Sequence, residues 1–306
     1  MKISNAIKTV TEQLNKPDTN KYLTHEYINH VSLPSSELLN EMITLFKSVI
    51  FPGYFGTSDI NNNTLKYHTG ATLDRAASIL RDQIKRGYCF VCSTNTSSPV
   101  CVDCERRAEE QTLLFISKLP QIKKMLATDV HAAYLGDPAA KNRGEAIFCY
   151  PSITALTNHR IAHELYLMDV PLIPRIISEL AHSSTGIDIH PGARIGEYFF
   201  MDHGTGIVIG ETCIIGNHVR LYQGVTLGAK SFASDEDGNP VKGIDRHPII
   251  ADNVIIYAGA TVLGRINIGK SAIIGGNVWI TNDVQAGAKI LQGKTRITGF
   301  ENGAGI

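Results

Sequence analysis

From Ile187 onward the apolar side chains keep a spacing of six. Ile189, Ile195 and Met201 are followed, after a slip of two residues, by Ile209, Ile215, Leu221 and Leu227. A second run continues through Ile250, Ile256, Val262, Ile268, Ile274 and Ile280. Four residues after most of these stands another small or apolar side chain, as at Val219, Val225, Val254, Ala260, Ile266, Ala272 and Val278. Neither the helix period of 3.6 nor the strand period of 2 produces a strict six, whereas a hexapeptide repeat does. Each hexad supplies a short strand, a turn and one inward side chain. Three hexads close a triangular coil, and stacked coils bury a continuous aliphatic column. Gly210, Gly216, Gly228, Gly269 and Gly275 follow repeat aliphatics and mark corners where a bulky side chain would clash.

The sequence before about residue 180 obeys a helical rule. Ser36–Ile50, Ala71–Ile84 and Arg107–Leu119 place apolar residues three and four apart, the last closed by Pro120. Pro, Gly and Asn at 51–56 and 61–63 mark loops. The chain is therefore read as α+β. A helical domain spans 1–185, a left-handed parallel β-helix of hexapeptide repeats spans 186–292, and a flexible tail spans 293–306. The polar stretch 229–248 breaks the repeat and cannot line the column, so it loops outward from a corner.

Composition changes this picture little. The chain has 306 residues, 43 % of them hydrophobic, which suits two domains with real cores. Lys+Arg (29) balance Asp+Glu (29), leaving no cationic excess for counterion release from nucleic acid. No stretch reaches the roughly 18–20 apolar residues of a membrane helix. The start lacks an apolar signal core, so a cytoplasmic protein is expected.

Candidate chemistry sits in the repeat corners and the excursion. Asp202 and His203 occupy one turn. Asp188 lies fifteen residues before His203, and a coil of roughly eighteen residues, less a shortened turn, brings the two close. A carboxylate beside an imidazole fixes its tautomer and stabilises the imidazolium formed during proton abstraction. The excursion ends with Asp245, Arg246 and His247 in a row.

These residues carry a resemblance. Asp188-Ile-His-Pro-Gly-Ala-Arg-Ile-Gly, Met201-Asp-His-Gly-Thr-Gly-Ile-Val-Ile-Gly-Glu-Thr, Gly224-Val-Thr-Leu-Gly and Asp245-Arg-His-Pro closely resemble serine O-acetyltransferase. Gly136-Asp137-Pro-Ala-Ala and Asn158-His-Arg-Ile-Ala-His-Glu-Leu look like helical-domain signatures of the same family, within a subgroup whose amino-terminal region is longer. The resemblance implies acetyl transfer from acetyl-CoA to the hydroxyl of L-serine, the first step of cysteine biosynthesis. It makes His203 the general base and Asp188 its partner, and assigns the substrate ammonium to Asp137 and Asp202. Arg246 then takes the substrate carboxylate, with His247 as a second contact. An amino acid carries two opposite charges, so an anion pair and a fork-shaped cation suit it. Backbone N–H groups at Gly228 and Ala229 face the oxyanion, and Ala258 and Gly276 line the coenzyme groove. A thioester is already activated, so no catalytic metal is expected. The resemblance also implies inhibition by L-cysteine and a terminal isoleucine, Ile306, that enters the sulfhydrylase consuming O-acetylserine. Flat, partly apolar β-helix faces and a site needing a neighbouring wall predict a homotrimer. The resemblance implies that the helical half can join two such trimers, so the assembly is expected to be a homotrimer or a dimer of trimers.

Other readings compete. A sugar or antibiotic acetyltransferase has no reason for Arg246 and two ammonium-binding carboxylates. A β-helix metal hydratase needs three histidines on one zinc, with His203, His218 and His247 available but badly spaced. A non-catalytic scaffold has no reason to keep these site residues. Cys89, Cys92, Cys101 and Cys104 form paired C-x-x-C units with metal-ligand spacing, though the eight residues between the pairs fall short of a typical zinc ribbon. A structural zinc, reduced thiols and two local disulfides all fit that spacing. His159 and His163, four apart on a helix, read as buried, hydrogen-bonded core residues. Trp279, Phe199 and Phe200 read as packing or interface residues, and 235–237 as a solvated loop tip.

Overall fold

The computed structural model describes residues 3–14, 16, 32–57, 59–93, 102–231 and 233–293. Cys101 and the tail ending at Ile306 lie outside them. Among the described residues seven helices come first: α1 (Ile3–Leu14), α2 (Ser36–Ile50), α3 (Leu65–Ser93), α4 (Val102–Gly136), α5 (Arg143–Cys149), α6 (Pro151–Leu167) and α7 (Ile173–Thr185). α2 starts where its apolar pattern starts, because the Ser35 hydroxyl accepts the Leu38 N–H and caps it.

Pro120 does not close a helix. α4 runs through it, since Phe115, Leu119, Ile122, Leu126 and Val130 continue one buried stripe on both sides. A mid-helix proline costs about 3 kcal/mol, and each buried side chain of that stripe returns about 1.5–3 kcal/mol.

The strands follow in order: β1 (Asp188–Ile189), β2 (Arg194–Ile195), β3 (Phe200–Asp202), β4 (Val208–Ile209), β5 (Ile214–Ile215), β6 (Arg220–Tyr222) and β7 (Thr226–Gly228). Beyond the excursion come β8 (Ile249–Ile250), β9 (Ile255–Ile256), β10 (Thr261–Leu263), β11 (Asn267–Ile268), β12 (Ile273–Ile274), β13 (Trp279–Ile280) and β14 (Lys289–Ile290). They stack as three parallel sheets, β1-β4-β7-β10-β13, β2-β5-β8-β11 and β3-β6-β9-β12-β14, the faces of a left-handed β-helix. Val208 pairs with Thr226 and Thr261 with Trp279, a coil of eighteen residues in each case. Asp188 pairs with Val208, so the first coil has twenty residues: its turn is lengthened, not shortened. Each hexad also turns two side chains inward rather than one. Val219 and Leu221, Val254 and Ile256, and Ala272 and Ile274 are all buried.

A buried ion pair joins the two halves. Arg160 on α6 grips Asp129 on α4 through two bonds of 2.7 and 2.8 Å, and donates to the backbone carbonyls of Ile195 and Gly196 on the first coil. Asp129 in turn accepts the Phe199 N–H. Burial pushes the Asp129 carboxyl up, and the guanidinium opposes that rise. Arg160→Leu strands this carboxylate and is expected to cost about 3–5 kcal/mol in denaturant unfolding. Arg175→Ala, which removes the exposed Arg175–Glu179 pair, should cost under about 1 kcal/mol. Equal losses would refute the clamp.

Candidate active site

The two extra residues of the first coil fall between β3 and β4, at the corner joining the third sheet to the first. His203 stands there with φ 55°, its side chain 74 % exposed and its Nε2 4.0 Å from Asp202 Oδ1. Asp137 follows the last residue of α4. A Cβ on Gly136 would lie 2.5 Å from the Phe200 ring, so only glycine lets the helix end press against β3. Asp137 accepts the Tyr150 hydroxyl and, at 2.7 Å, the Ala139 N–H. Those bonds, with nearby His203, hold its carboxyl below the usual range. Asp137, Tyr150, Asp202 and His203 thus form one acidic corner carrying an exposed imidazole. Ala258 and Gly276 stand at the same corner on higher coils, with Asn277 donating to the Ala258 carbonyl at 2.9 Å.

Asp188 lies at the base of this corner but makes no ion pair with His203 within 4.0 Å. Its carboxylate instead groups with Glu179 and His182, their ligand atoms all within 4.8 Å.

Arg246 and His247 occupy the next corner, between the first and second sheets. His247 is 6 % exposed. Its Nδ1 accepts the Thr212 N–H at 3.1 Å and contacts the Thr212 hydroxyl at 2.9 Å, which leaves the ring proton on Nε2. The ring fits only because residue 210 is glycine: a Cβ there would lie 2.1 Å from His247 Cδ2. Arg246 donates to Glu211 at 2.8 Å, and Tyr166 donates to the same carboxylate at 3.2 Å. Arg265 anchors the end of the excursion through the His247 carbonyl and Asp245. Gly228 and Ala229 are at this corner too, where the chain leaves β7. Within one chain, the acidic corner and the Arg246 corner are separated by the width of the first sheet. His218 occupies the third corner, stacked on Tyr198 at 4.4 Å, so His203, His218 and His247 cannot share one ion within a chain.

No protein-family model matches the chain. It is 52 % identical over 275 residues to a protein of Synechococcus elongatus named "Serine acetyltransferase, plasmid", covering 90 % of this chain and 86 % of that one. The chain belongs to the serine acetyltransferase family. It is also 48 % identical over 161 residues to the serine acetyltransferase of Bacillus licheniformis, covering 53 % of this chain and 70 % of that one. Among solved structures it is similar to serine acetyltransferase isoform 3 of Entamoeba histolytica in complex with cysteine, with TM-score 0.73 and 32 % identity over 98 % of this chain and 96 % of that one. The Neisseria gonorrhoeae enzyme in complex with serine aligns at TM-score 0.53 and 27 % identity, over 85 % of this chain and 96 % of that one. This serine acetyltransferase is an acyltransferase of the first step of cysteine biosynthesis, and acetyl-CoA is the co-substrate of its family. No helix among the described residues is long and apolar enough to cross a membrane.

Sequence reasoning missed Tyr150, Glu211 and Thr212, which orient Asp137, Arg246 and His247. Glu211-Thr212 lies inside a quoted motif, but nothing in its spacing points at Arg246. His159 is buried as expected, yet its Nδ1 has no hydrogen-bond partner among the described residues, whereas His163 reaches the Pro191 carbonyl at 2.7 Å.

Two expectations follow from this geometry. Burial lowers His247 and His190 from 6.5 to about 4, so both stay neutral in the folded chain while the unfolded chain takes up protons. Their contribution is complete above pH 6.5 and is lost as pH falls towards 4. The unfolding midpoint should drop over that window, and His190→Gln with His247→Gln should flatten the drop; an unchanged slope would contradict it. Gly210→Ala should expel the His247 ring and break its bonds to Thr212, lowering the unfolding midpoint by several degrees in a thermal melt, and an unchanged midpoint would contradict the fit.

Proposed function

We propose that this enzyme acetylates serine by direct transfer at a site built from the acidic corner of one chain and the Arg246 corner of its neighbour. The observation that carries this reading is the separation of the two half-sites. His203 with Asp137 and Asp202 stands at one edge of the first sheet, and Arg246 with His247 at the other. A three-fold assembly with that sheet towards the axis sets unlike corners of adjacent copies against each other. A homotrimer is therefore part of the proposal, and a dimer of trimers through the helical half is its extension.

In this scheme Asp137 and Asp202 take the serine ammonium, and Arg246 and His247 take its carboxylate. Held at both ends, the serine hydroxyl gives its proton to His203 as its oxygen attacks the thioester carbonyl. Backbone N–H groups at Gly228 and Ala229 receive the oxyanion. Collapse breaks the carbon–sulfur bond, and the imidazolium returns the proton to the leaving thiolate. Asp188 supports the imidazolium once the corner closes on substrate, completing a His203–Asp188 dyad. Acetyl-CoA lies along the corner column past Ala258 and Gly276. Cysteine presents the same ammonium and carboxylate with a thiol, so it competes with serine; the cysteine bound to the Entamoeba enzyme supports that reading. Ile306 is proposed to seat in the sulfhydrylase that consumes the product, and the cytoplasm is the proposed compartment.

His203→Ala should lower kcat by about 100- to 10,000-fold with little change in coenzyme KM. Arg246→Ala should raise serine KM and cysteine Ki together. Co-expressing the two variants, and assaying at serine far below the raised KM of Arg246→Ala, should restore up to about a quarter of wild-type sites by random assortment in a closed ring. Failure to recover activity from mixed, co-purified trimers would show that the site belongs to one chain.

A further inference from the structure

A ladder of outward side chains climbs the edge of the third sheet beside the corner that holds His203. The register sets Tyr222 one coil above Asp202, and Ile256 one coil above Leu221, so Tyr257 follows above Tyr222. The two tyrosine rings stack with centroids 5.0 Å apart and planes 16° from parallel. Ile274 lies above Ile256 and Ile290 above Ile274, which puts Gly275 over Tyr257 and Leu291 over Gly275. The aromatic ladder therefore stops at a level with no side chain. Tyr257 and Leu291 border that level while staying 41 % and 61 % exposed.

Leu291 leans over the gap, its Cδ2 lying 3.2 Å from the position a Cβ on Gly275 would take. Two coil steps separate the backbones at 257 and 291, about 9.6 Å in all. A planar ring between two carbon surfaces needs about 3.5–4.0 Å on each side, or about 7–8 Å. The gap takes one flat ring, with a π face as its floor and an aliphatic side chain as its roof. A tyrosine face suits a second π system, and stacking holds a base without a matched set of hydrogen bonds. The slot lies three coils above Asp202, about 14 Å along the axis. A ligand with one end at His203 reaches it only if it is long and carries a ring at its far end. Acetyl-CoA has that form: a thioester at one end of an extended arm and a purine at the other.

We propose, resting on the coenzyme course past Ala258 and Gly276, that Tyr257 and Leu291 form a slot for the purine ring of acetyl-CoA. The slot selects the full coenzyme over shorter acetyl thioesters. Stacking there makes and breaks no covalent bond.

Steady-state kinetics of the full-length enzyme with two acetyl donors test the slot: acetyl-CoA, and acetyl-phosphopantetheine, which has no purine. Tyr257→Ala should raise the KM for acetyl-CoA by about 5- to 150-fold, the span of base–aromatic stacking, while kcat and serine KM stay within about twofold. The KM for acetyl-phosphopantetheine should not move. Tyr257→Phe keeps the ring and should restore the coenzyme KM. Because Tyr257→Ala could disturb the coil, competition is also read on the wild type and Tyr257→Phe. Adenosine 3′,5′-bisphosphate should compete with acetyl-CoA on both and leave acetyl-phosphopantetheine turnover unaffected. An unchanged acetyl-CoA KM in Tyr257→Ala, an equal loss with both donors, or a Tyr257→Phe variant as impaired as Tyr257→Ala would overturn the proposal. Ala258→Trp, which obstructs the column itself, should raise the KM for both donors. If it does so while Tyr257→Ala changes neither, the slot alone is wrong. If Ala258→Trp changes neither, the coenzyme takes another course and the slot falls with it.

Discussion

The buried pair of Arg160 and Asp129 holds the helical half and the β-helix in one frame. Asp129 is fully buried and Arg160 nearly so, and every strong contact they make is used twice. The carboxylate binds the guanidinium and the Phe199 N–H, and the guanidinium binds the carboxylate and the carbonyls of Ile195 and Gly196. An isolated buried charge is costly, so this pair survives only with that full set of partners. The consequence reaches the site directly. Phe199 precedes β3, β3 ends at Asp202, and α4 ends beside Phe200 with Asp137 next in the chain. The clamp on α4 thus decides how far the Asp137 carboxylate stands from His203.

A second constraint operates inside the coils. Two inward side chains per hexad leave no room for polar groups, so chemically active residues must leave the coil at a corner. The chain does so in two ways. A two-residue lengthening turns His203 out at one corner, and a long excursion returns Arg246 and His247 to the next. Both devices leave the stacking of neighbouring coils intact. β4 still pairs with β1, and β8 with β5, although their sequence separations differ from eighteen.

Much of this was legible in the sequence because it obeys a period. The six-residue spacing located the strands, and its slip between Met201 and Ile209 located the His203 corner. Features set by contacts between distant segments left no such trace. Pro120 read as a stop because local backbone chemistry says so, and only the buried stripe on both sides reveals that α4 continues. Arg160 and Asp129 are thirty-one residues apart with no pattern linking them. Tyr150 looks like a loop residue before Pro151, and its bond to Asp137 depends on how α5 folds back. The expected closeness of Asp188 and His203 assumed a shorter turn, whereas the longer one leaves them without a direct ion pair.

The split between the two corners has an electrostatic logic. A site for a dipolar amino acid needs fixed negative and positive groups, yet such groups placed about 4 Å apart bind each other and leave little for the ligand. On this chain the carboxylates of Asp137 and Asp202 stand at one corner and the Arg246 guanidinium at another. They cannot neutralise one another within the chain. Arg246 keeps a partner in Glu211, but that contact engages one nitrogen of the fork, while Tyr166 bonds the other oxygen of the same carboxylate. Nη1 also donates to the Ile244 carbonyl at 3.2 Å, so what the guanidinium keeps for a second carboxylate is Nε–H and the remaining terminal hydrogens. Asp137 is likewise held from one side by Tyr150 and the Ala139 N–H. Each half-site is braced by neutral or single-point contacts that fix its direction without quenching its charge. In the proposed scheme, serine is the group that completes both.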